Sequence, residues 1–374
     1  MNAPKLRFKE FNDEWITYKF YDLVSIINGQ VDPNKKEYCN LPHIGPGNIE
    51  KETGRLLEYN LAKDDKLISS KYLFNEKSVI YGKINPHFAK VCYPKFVGLC
   101  SADSYPINPI EEKLTSTFLL YLLLNPKFTK FATSVSMRTG MPKINRDELG
   151  IYKFTIPKIN EQIKIGDFLS LLDKKIELQS KKIEDLKLFK LSKYSSVFSK
   201  TNNKIKLSDI CIIEKGKQIN SDLLIENGNY YMLNGGILPS GYLNEYNTNE
   251  NTITISEGGN SCGYVNFNKT KFWCGGHCYK IISPSVNTSY LYHLLKYNEK
   301  KIMDLRVGSG LPNIQKKDLE ALKLSINKND EQLKIGILFD TFDKKINLET
   351  NKLDKLQERV CQEKCVSSKN YIKY

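Results

Sequence analysis

Gly140-Met141-Pro142-Lys143-Ile144 returns 170 residues later as Gly310-Leu311-Pro312-Asn313-Ile314, and the reading of the fold turns on that return. Working outward, Glu161-Gln162-Ile163-Lys164-Ile165-Gly166 returns as Glu331-Gln332-Leu333-Lys334-Ile335-Gly336. Asp173-Lys174-Lys175-Ile176 returns as Asp343-Lys344-Lys345-Ile346. Across 140–186, 19 of 47 positions are identical to their partners without a gap, a density that chance does not supply. The chain is therefore built of two equivalent units. A weaker echo sets Phe20-Tyr21-Asp22-Leu23 through Gly29 against Leu207-Ser208-Asp209-Ile210 through Gly216. Between these echoes the halves diverge almost completely. What repeats is a frame; what differs is the middle of each unit.

Residues 1–157 alternate short apolar runs with turn signals, such as Ser78-Val79-Ile80-Tyr81 before Gly82 and Phe96-Val97 before Gly98. One helix is expected from Leu114 to Ala132, and its counterpart from Ser289 to Leu305. Each half thus reads as a mixed α+β globule. A heptad seam follows each. Leu169, Leu172, Ile176, Gln179, Ile183 and Leu186 step by three and four residues, and so do Phe339, Phe342, Ile346, Glu349, Leu353 and Leu356. From about Glu161 to Phe198 such a helix would run roughly 55 Å. A stripe this narrow on a charged helix asks for a partner helix, and the other copy is the obvious one. Two copies joined head to tail can be related by an approximate two-fold axis, with the two helices packed as an antiparallel coiled coil. The expected division is 1–157 for the first globule, 158–203 for the central long helix, 204–327 for the second globule and 328–374 for the distal long helix.

The 374 residues carry a net charge of +14 and 40% hydrophobic content, enough for a core in each unit. The excess is almost all lysine, with only six arginines, so a lysine-rich bias supplies part of it. The remainder favours a polyanionic partner, nucleic acid before a membrane surface. The nine cysteines are odd in number and scattered, and no run approaches the roughly 18 apolar residues of a membrane span. These features predict a reduced, cytoplasmic protein.

The Gly-x-Pro-x-Ile stretch, the opening Pro4-Lys5-Leu6-Arg7-Phe8 with Trp15, and Pro157-Lys158-Ile159-Asn160-Glu161-Gln162-Ile163-Lys164-Ile165 leading into a long helix carry a family likeness. The chain resembles the DNA-specificity subunit of a type I restriction-modification system. In the second copy Asn327 stands where that signature has proline, which predicts a less rigid start to the helix. The resemblance implies that each globule is a target-recognition domain reading a few base pairs of double-stranded DNA. It implies that the helices hold the domains apart and form the platform for two modification subunits. Those subunits would bind S-adenosylmethionine and methylate adenine N6, while restriction (motor-nuclease) subunits would add ATP- and Mg-dependent translocation and cleavage. No cofactor is expected in this chain itself.

Base readout needs side chains that reach groove edges, and phosphate contact needs positive charge and free N–H groups. Arg138, Thr139 and Lys143 in the first copy match Arg306, Ser309 and Asn313 in the second as polar loops around Gly-x-Pro-x-Ile. Lys83, Asn85 and His87 form a donor set in Tyr81-Gly82-Lys83-Ile84-Asn85-Pro86-His87-Phe88. Asn234 lies in a glycine-rich turn, Asn260 follows Glu257-Gly258-Gly259, and Lys217 and Gln218 follow the echo at Gly216. Plain surface turns and hairpins are the bland reading of each.

Catalytic patterns fail. Asn85-Pro86-His87-Phe88 and Asn125-Pro126-Lys127-Phe128 lack the second proline of an adenine-methyltransferase loop, and no phosphate-binding Gly-x-x-x-x-Gly-Lys-Ser/Thr stretch exists. Cys274-Gly275-Gly276-His277-Cys278 lacks the two spaced pairs that zinc prefers, so no metal site is expected. The sequence thus points to a non-catalytic DNA reader. The alternatives are a coiled-coil scaffold binding protein partners, and a specificity module serving a methyltransferase alone.

Overall fold

The computed structural model describes residues 7–137, 140–201, 203–308, 310 and 312–366. The weak echo near the start of each half is one local structure made twice. Phe20 and Leu207 are fully buried and each opens a short 3-10 turn. The Phe20 N–H donates to the Tyr152 carbonyl (3.0 Å) and the Leu207 N–H to the Leu322 carbonyl (2.9 Å). Asp22 and Asp209 close the turns by accepting from the Lys19 and Lys206 N–H groups. An apolar residue followed two positions later by an aspartate is all that this turn asks of the sequence.

Each globule is then built on the same strand order. In the first, Val24–Ile26, Ser104–Pro109, Val79–Gly82 and Val91–Cys92 make an antiparallel four-stranded sheet in that spatial order. In the second, Ile212–Lys215, Cys278–Ile282, Thr252–Ser256 and Val265–Asn268 do the same. A second sheet, of four strands in the first globule and three in the second, contains one parallel pair, Pro42–Ile44 with Gly98–Cys100 and Tyr230–Leu233 with Trp273–Cys274. A two-stranded ribbon leads to each long helix, Ile16–Lys19 with Lys153–Ile156 and Lys204–Lys206 with Lys323–Ser325. The divergent middles therefore hang on one topology, and the fold is α+β throughout.

The two helical expectations within the globules need correction, because each is a pair of shorter helices. Ser116–Leu123 and Pro126–Ser136 are separated at Asn125, whose side chain accepts from the Lys127 N–H (2.9 Å). Pro126 has no N–H to continue the first helix and is well placed to begin the next. In the second globule Thr288–Tyr297 and Glu299–Met303 are divided at Asn298. Both pairs lay their apolar faces on the main cores, through Phe118, Leu119 and Phe128 in one and Tyr290, Leu291, Leu294 and Ile302 in the other.

The long helices are Ile159–Phe198 and Asn329–Val366. Ile183, Phe339 and Ile346 are buried, and Leu169, Leu172, Ile176, Leu186, Phe342, Leu353 and Leu356 are half-buried, while the exposed flanks mix charged residues with apolar ones such as Leu178 and Leu348. The chain divides into two compact units, Met1–Gln179 with Leu353–Tyr374, and Ser180–Lys352, so that both helices cross the division. Within the second unit the helices run antiparallel: Lys182 meets Glu349 (3.0 Å), Phe189 meets Phe342, Lys190 meets Asp343 (2.5 Å) and Tyr194 meets Phe339. The seam also serves the globules. Ile165 and Leu169 pack on the first core, and Ile335 and Phe339 belong to the second.

The Gln of the repeated signature is buried at the start of each long helix, whereas the Glu is buried only in the first, Glu331 being exposed. Gln162 is fully buried, donates to the carbonyls of Lys113 (2.7 Å) and Pro157 (2.9 Å), and accepts from the Thr115 N–H (3.1 Å). Glu161 takes the Arg7 guanidinium in a two-pronged pair, both contacts 2.6 Å, with the Trp15 indole N–H at 3.4 Å. The expected looseness at Asn327 is not found. Its N–H donates to the Tyr290 oxygen (2.8 Å), its Oδ1 accepts from that hydroxyl (3.1 Å), and its Nδ2 donates to the Val197 carbonyl (3.3 Å). Hydrogen bonds to neighbouring elements replace the rigidity of a proline ring.

Candidate nucleic-acid interface

The two Gly-x-Pro-x-Ile stretches dock onto their globules by the same set of contacts. Ile144 and Ile314 are fully buried anchors. In the first globule the Ile144 N–H donates to the Lys83 carbonyl (3.1 Å) and the Asn85 N–H to the Pro142 carbonyl (2.8 Å). In the second the Ile314 N–H donates to the Glu257 carbonyl (2.9 Å) and the Gly259 N–H to the Pro312 carbonyl (3.0 Å). Isolated bridges pair Ile84 with Lys143 and Gly258 with Asn313. The Tyr105 and Tyr279 hydroxyls donate to the Ile144 (3.5 Å) and Ile314 (3.0 Å) carbonyls. Gly140 sits at φ +106°, where a side chain would be strained. Each repeated stretch is thus a strap across the end of the central strand pair, and the loops on either side of it are the divergent ones.

In the first globule Lys83 is buried at the strand end, with its ammonium 5.3 Å from the Tyr105 ring centre. Arg146 lies over the same ring at 5.4 Å and donates to the Ile27 carbonyl (2.9 Å). Burial lowers the Lys83 pKa, and the positive charge of Lys143 lowers it further, with Asp103 acting the other way. Asn85 and Ala89 both take left-handed backbone around the short turn Pro86–Phe88. His87 is exposed and rests on the Phe88 ring, and Lys143 is exposed.

In the second globule several sequence-derived candidates converge. Gly216 lets the chain pass so close to Gly275 that a Cβ would lie 2.2 Å from its carbonyl. The exposed Lys217 and Gln218 follow, with the Lys217 N–H donating to the Cys274 carbonyl (2.9 Å). The half-buried Asn234 accepts from the His277 N–H (3.1 Å). Gln218, Asn220, Ser221, Asn234 and Ser240, with Ile219, Leu224 and Met232, line a cleft of about 410 Å³. Its amide and hydroxyl rim suits the donor–acceptor edge of a base better than it suits a charge. Asn260 and Arg306 are exposed, and Arg306 sits beside the Val307–Asn313 bridge that closes its loop. Arg138, Thr139 and Ser309 lie outside the described residues.

Sequence reasoning passed over Glu257 as a side chain. Its buried carboxylate takes the Lys215 ammonium (2.6 Å) and the Tyr279 hydroxyl (3.1 Å), with His277 Nδ1 at 3.7 Å. Burial raises the Tyr279 pKa, and the Glu257 charge adds to that. It also passed over Tyr105, Asp103 and Arg146. The available signal was the short match of Ser104-Tyr105-Pro106-Ile107 to Cys278-Tyr279-Lys280-Ile281, which shares only the tyrosine and the isoleucine. Cys274 and Cys278 are buried in an apolar cluster with Leu233 and Phe272, while His277 turns outward to Glu257.

The comparisons agree with this doubled architecture. The family model described as type I restriction modification DNA specificity domain matches twice, over residues 12–188 and 199–358. The specificity subunit of the Escherichia coli type I restriction enzyme EcoDI is 34% identical over 171 residues, 44% of this chain and 37% of that protein. Matches of this kind span little more than a third of the relatives' own length. A putative type I restriction enzyme specificity subunit, MjaX, from Methanocaldococcus jannaschii is 23% identical over 96% of this chain and 93% of its own. The crystal structure of a type I restriction-modification S subunit from M. genitalium has the same fold, with a TM-score of 0.69 at 20% identity, covering 98% of each chain. With the family model matching in both halves, this chain belongs to the type I restriction-modification DNA specificity family.

Proposed function

We propose that this chain is the DNA-recognition subunit of a type I restriction-modification complex and carries no catalytic group of its own. One observation carries the reading. The same strap of Gly-x-Pro-x-Ile is laid across the same strand ends in both globules, and the loops it braces differ. Such an arrangement reads two different half-sites with one architecture, so the target is bipartite and asymmetric. Affinity comes largely from lysine–phosphate contacts and falls steeply with salt. Base choice comes from donors such as Gln218, Asn234 and Asn260, since paired amide donors and acceptors match adenine edges.

The long helices set the spacing between half-sites and receive the modification subunits. Support for the second role lies in apolar residues left exposed at equivalent positions of both copies: Ile163 and Leu333, Phe168 and Leu338, Leu178 and Leu348. Two equivalent surfaces fit two identical subunits. Those subunits would bring S-adenosylmethionine and flip the target adenine; restriction subunits would bring ATP and Mg. Among the described residues no helix is long and apolar enough to cross a membrane.

Genome-wide mapping of N6-methyladenine with and without the gene tests the reading. Deletion should erase methylation at one motif made of two short blocks separated by a fixed spacer. Unchanged methylation while a modification subunit is expressed would contradict it.

A further inference from the structure

The two straps cover one position whose charge is inverted between the globules. Lys83 and Glu257 occupy the same place: each is buried after the same strand, each gives its carbonyl to the isoleucine of the strap, and each lies beside the tyrosine whose hydroxyl meets that isoleucine. Their neighbours across the strand pair are equivalent too. The Lys83 N–H donates to the Asp103 carbonyl, and the Glu257 N–H to that of His277.

The surroundings then diverge. Around Glu257 the charge is matched, because the Lys215 ammonium faces its carboxylate at 2.6 Å. Around Lys83 they accumulate. Lys143 is bridged to the adjoining Ile84, and Arg146 lies over the same Tyr105 ring as Lys83. Among the described residues none of Lys83, Lys143 or Arg146 is ion-paired to a carboxylate. A buried ammonium at Lys83 with Lys143 and Arg146 close by, and Asp103 acting against them, costs free energy until an anion arrives.

We propose that Lys83, Lys143 and Arg146 form a phosphate-binding nest that anchors the first globule to the DNA backbone, and that Glu257 cancels the corresponding charge in the second. The two globules then divide the work unequally: the first supplies most of the salt-dependent grip, and the second reads through neutral amides. This rests on the DNA-recognition reading above. It adds which side chains hold phosphate and which half-site depends on them.

Salt titration of binding tests it, with the chain assembled with its modification subunits. The probes are a mixed-sequence duplex of about 40 base pairs and one carrying the mapped motif, each at several salt concentrations between about 50 and 200 mM. Each lost phosphate contact lowers the steepness of log affinity against log salt by about 0.9. Lys143→Gln should lower it by about that much, and Lys83→Gln with Lys143→Gln by about twice as much. Both duplexes should lose affinity by the same factor, since a phosphate contact carries no sequence information. Glu257→Gln should raise the steepness by releasing Lys215. Lys143 is exposed, so its substitution tests the nest without disturbing the core. An unchanged slope in the lysine variants, an unequal loss on the two duplexes, or a lowered slope in Glu257→Gln overturns the proposal. A wild-type complex that binds neither duplex overturns the DNA-recognition reading instead.

Discussion

At the scale of single residues, two buried groups tie the long helices to their globules, and they respond to different perturbations. Glu161 is held by Arg7 and almost wholly out of water. Arg7→Met should leave that carboxylate buried without its cation and cost about 3 kcal/mol, read as a lower urea midpoint. In the second globule His293 is fully buried, with Nδ1 2.7 Å from the Tyr194 hydroxyl and Nε2 3.1 Å from Asp340. Burial lowers its pKa despite the nearby carboxylates. The folded chain therefore refuses a proton that the unfolded chain accepts below the ordinary histidine pKa of about 6.5. Stability should be full above that pH and decline as pH falls below it. His293→Gln should flatten this acid limb in thermal melts; an equally steep limb would show that other groups govern it. The first globule grips its helix through Tyr121, whose hydroxyl donates to Asp173 (2.9 Å), and should lack this sensitivity. Neither clamp is legible in the sequence. Arg7 and Glu161 are 154 residues apart, and no local period marks such a pair.

At the scale of elements, the long helices are the most legible part of the chain, because a three-four apolar step on a charged helix marks one narrow face for burial, although Leu169 and Phe339 turn that face onto the globule cores as well. The strap is legible as a motif but not as a contact. Its partner is a strand end far away in sequence, and Lys83 and Glu257 look unrelated when written side by side. The helix pair of the first globule reads as one helix because apolar residues continue across Asn125-Pro126, although the proline itself marks the break. Lengthening both long helices by seven residues adds roughly 10 Å. That should widen the spacer in the methylated motif by about three base pairs while both blocks stay the same. A shifted block sequence would show that the helices do more than set distance. Leu178→Lys and Leu348→Lys place charge at equivalent exposed sites. Each alone should cost the complex one modification subunit, and together both, as measured by the mass of the purified assembly.

At the scale of the whole molecule, repetition and divergence have separate meanings. The strap, the 3-10 turn and the seam are constrained by burial, so their apolar and capping positions return. The loops they brace face outward and are free to differ. Exchanging residues 30–135 for those of another family member should therefore alter one block of the methylated motif and leave the other intact. Loss of both blocks would mean that the globules do not read independently. The division of the chain into units carries one more consequence. The second unit, Ser180–Lys352, is one uninterrupted stretch, whereas the first also takes in the end of the distal helix from Leu353 onward. On the ribosome the later-made unit is therefore complete before the earlier-made one. A premature stop codon just after Lys352 would spare the unit beside it in sequence and injure the one translated first.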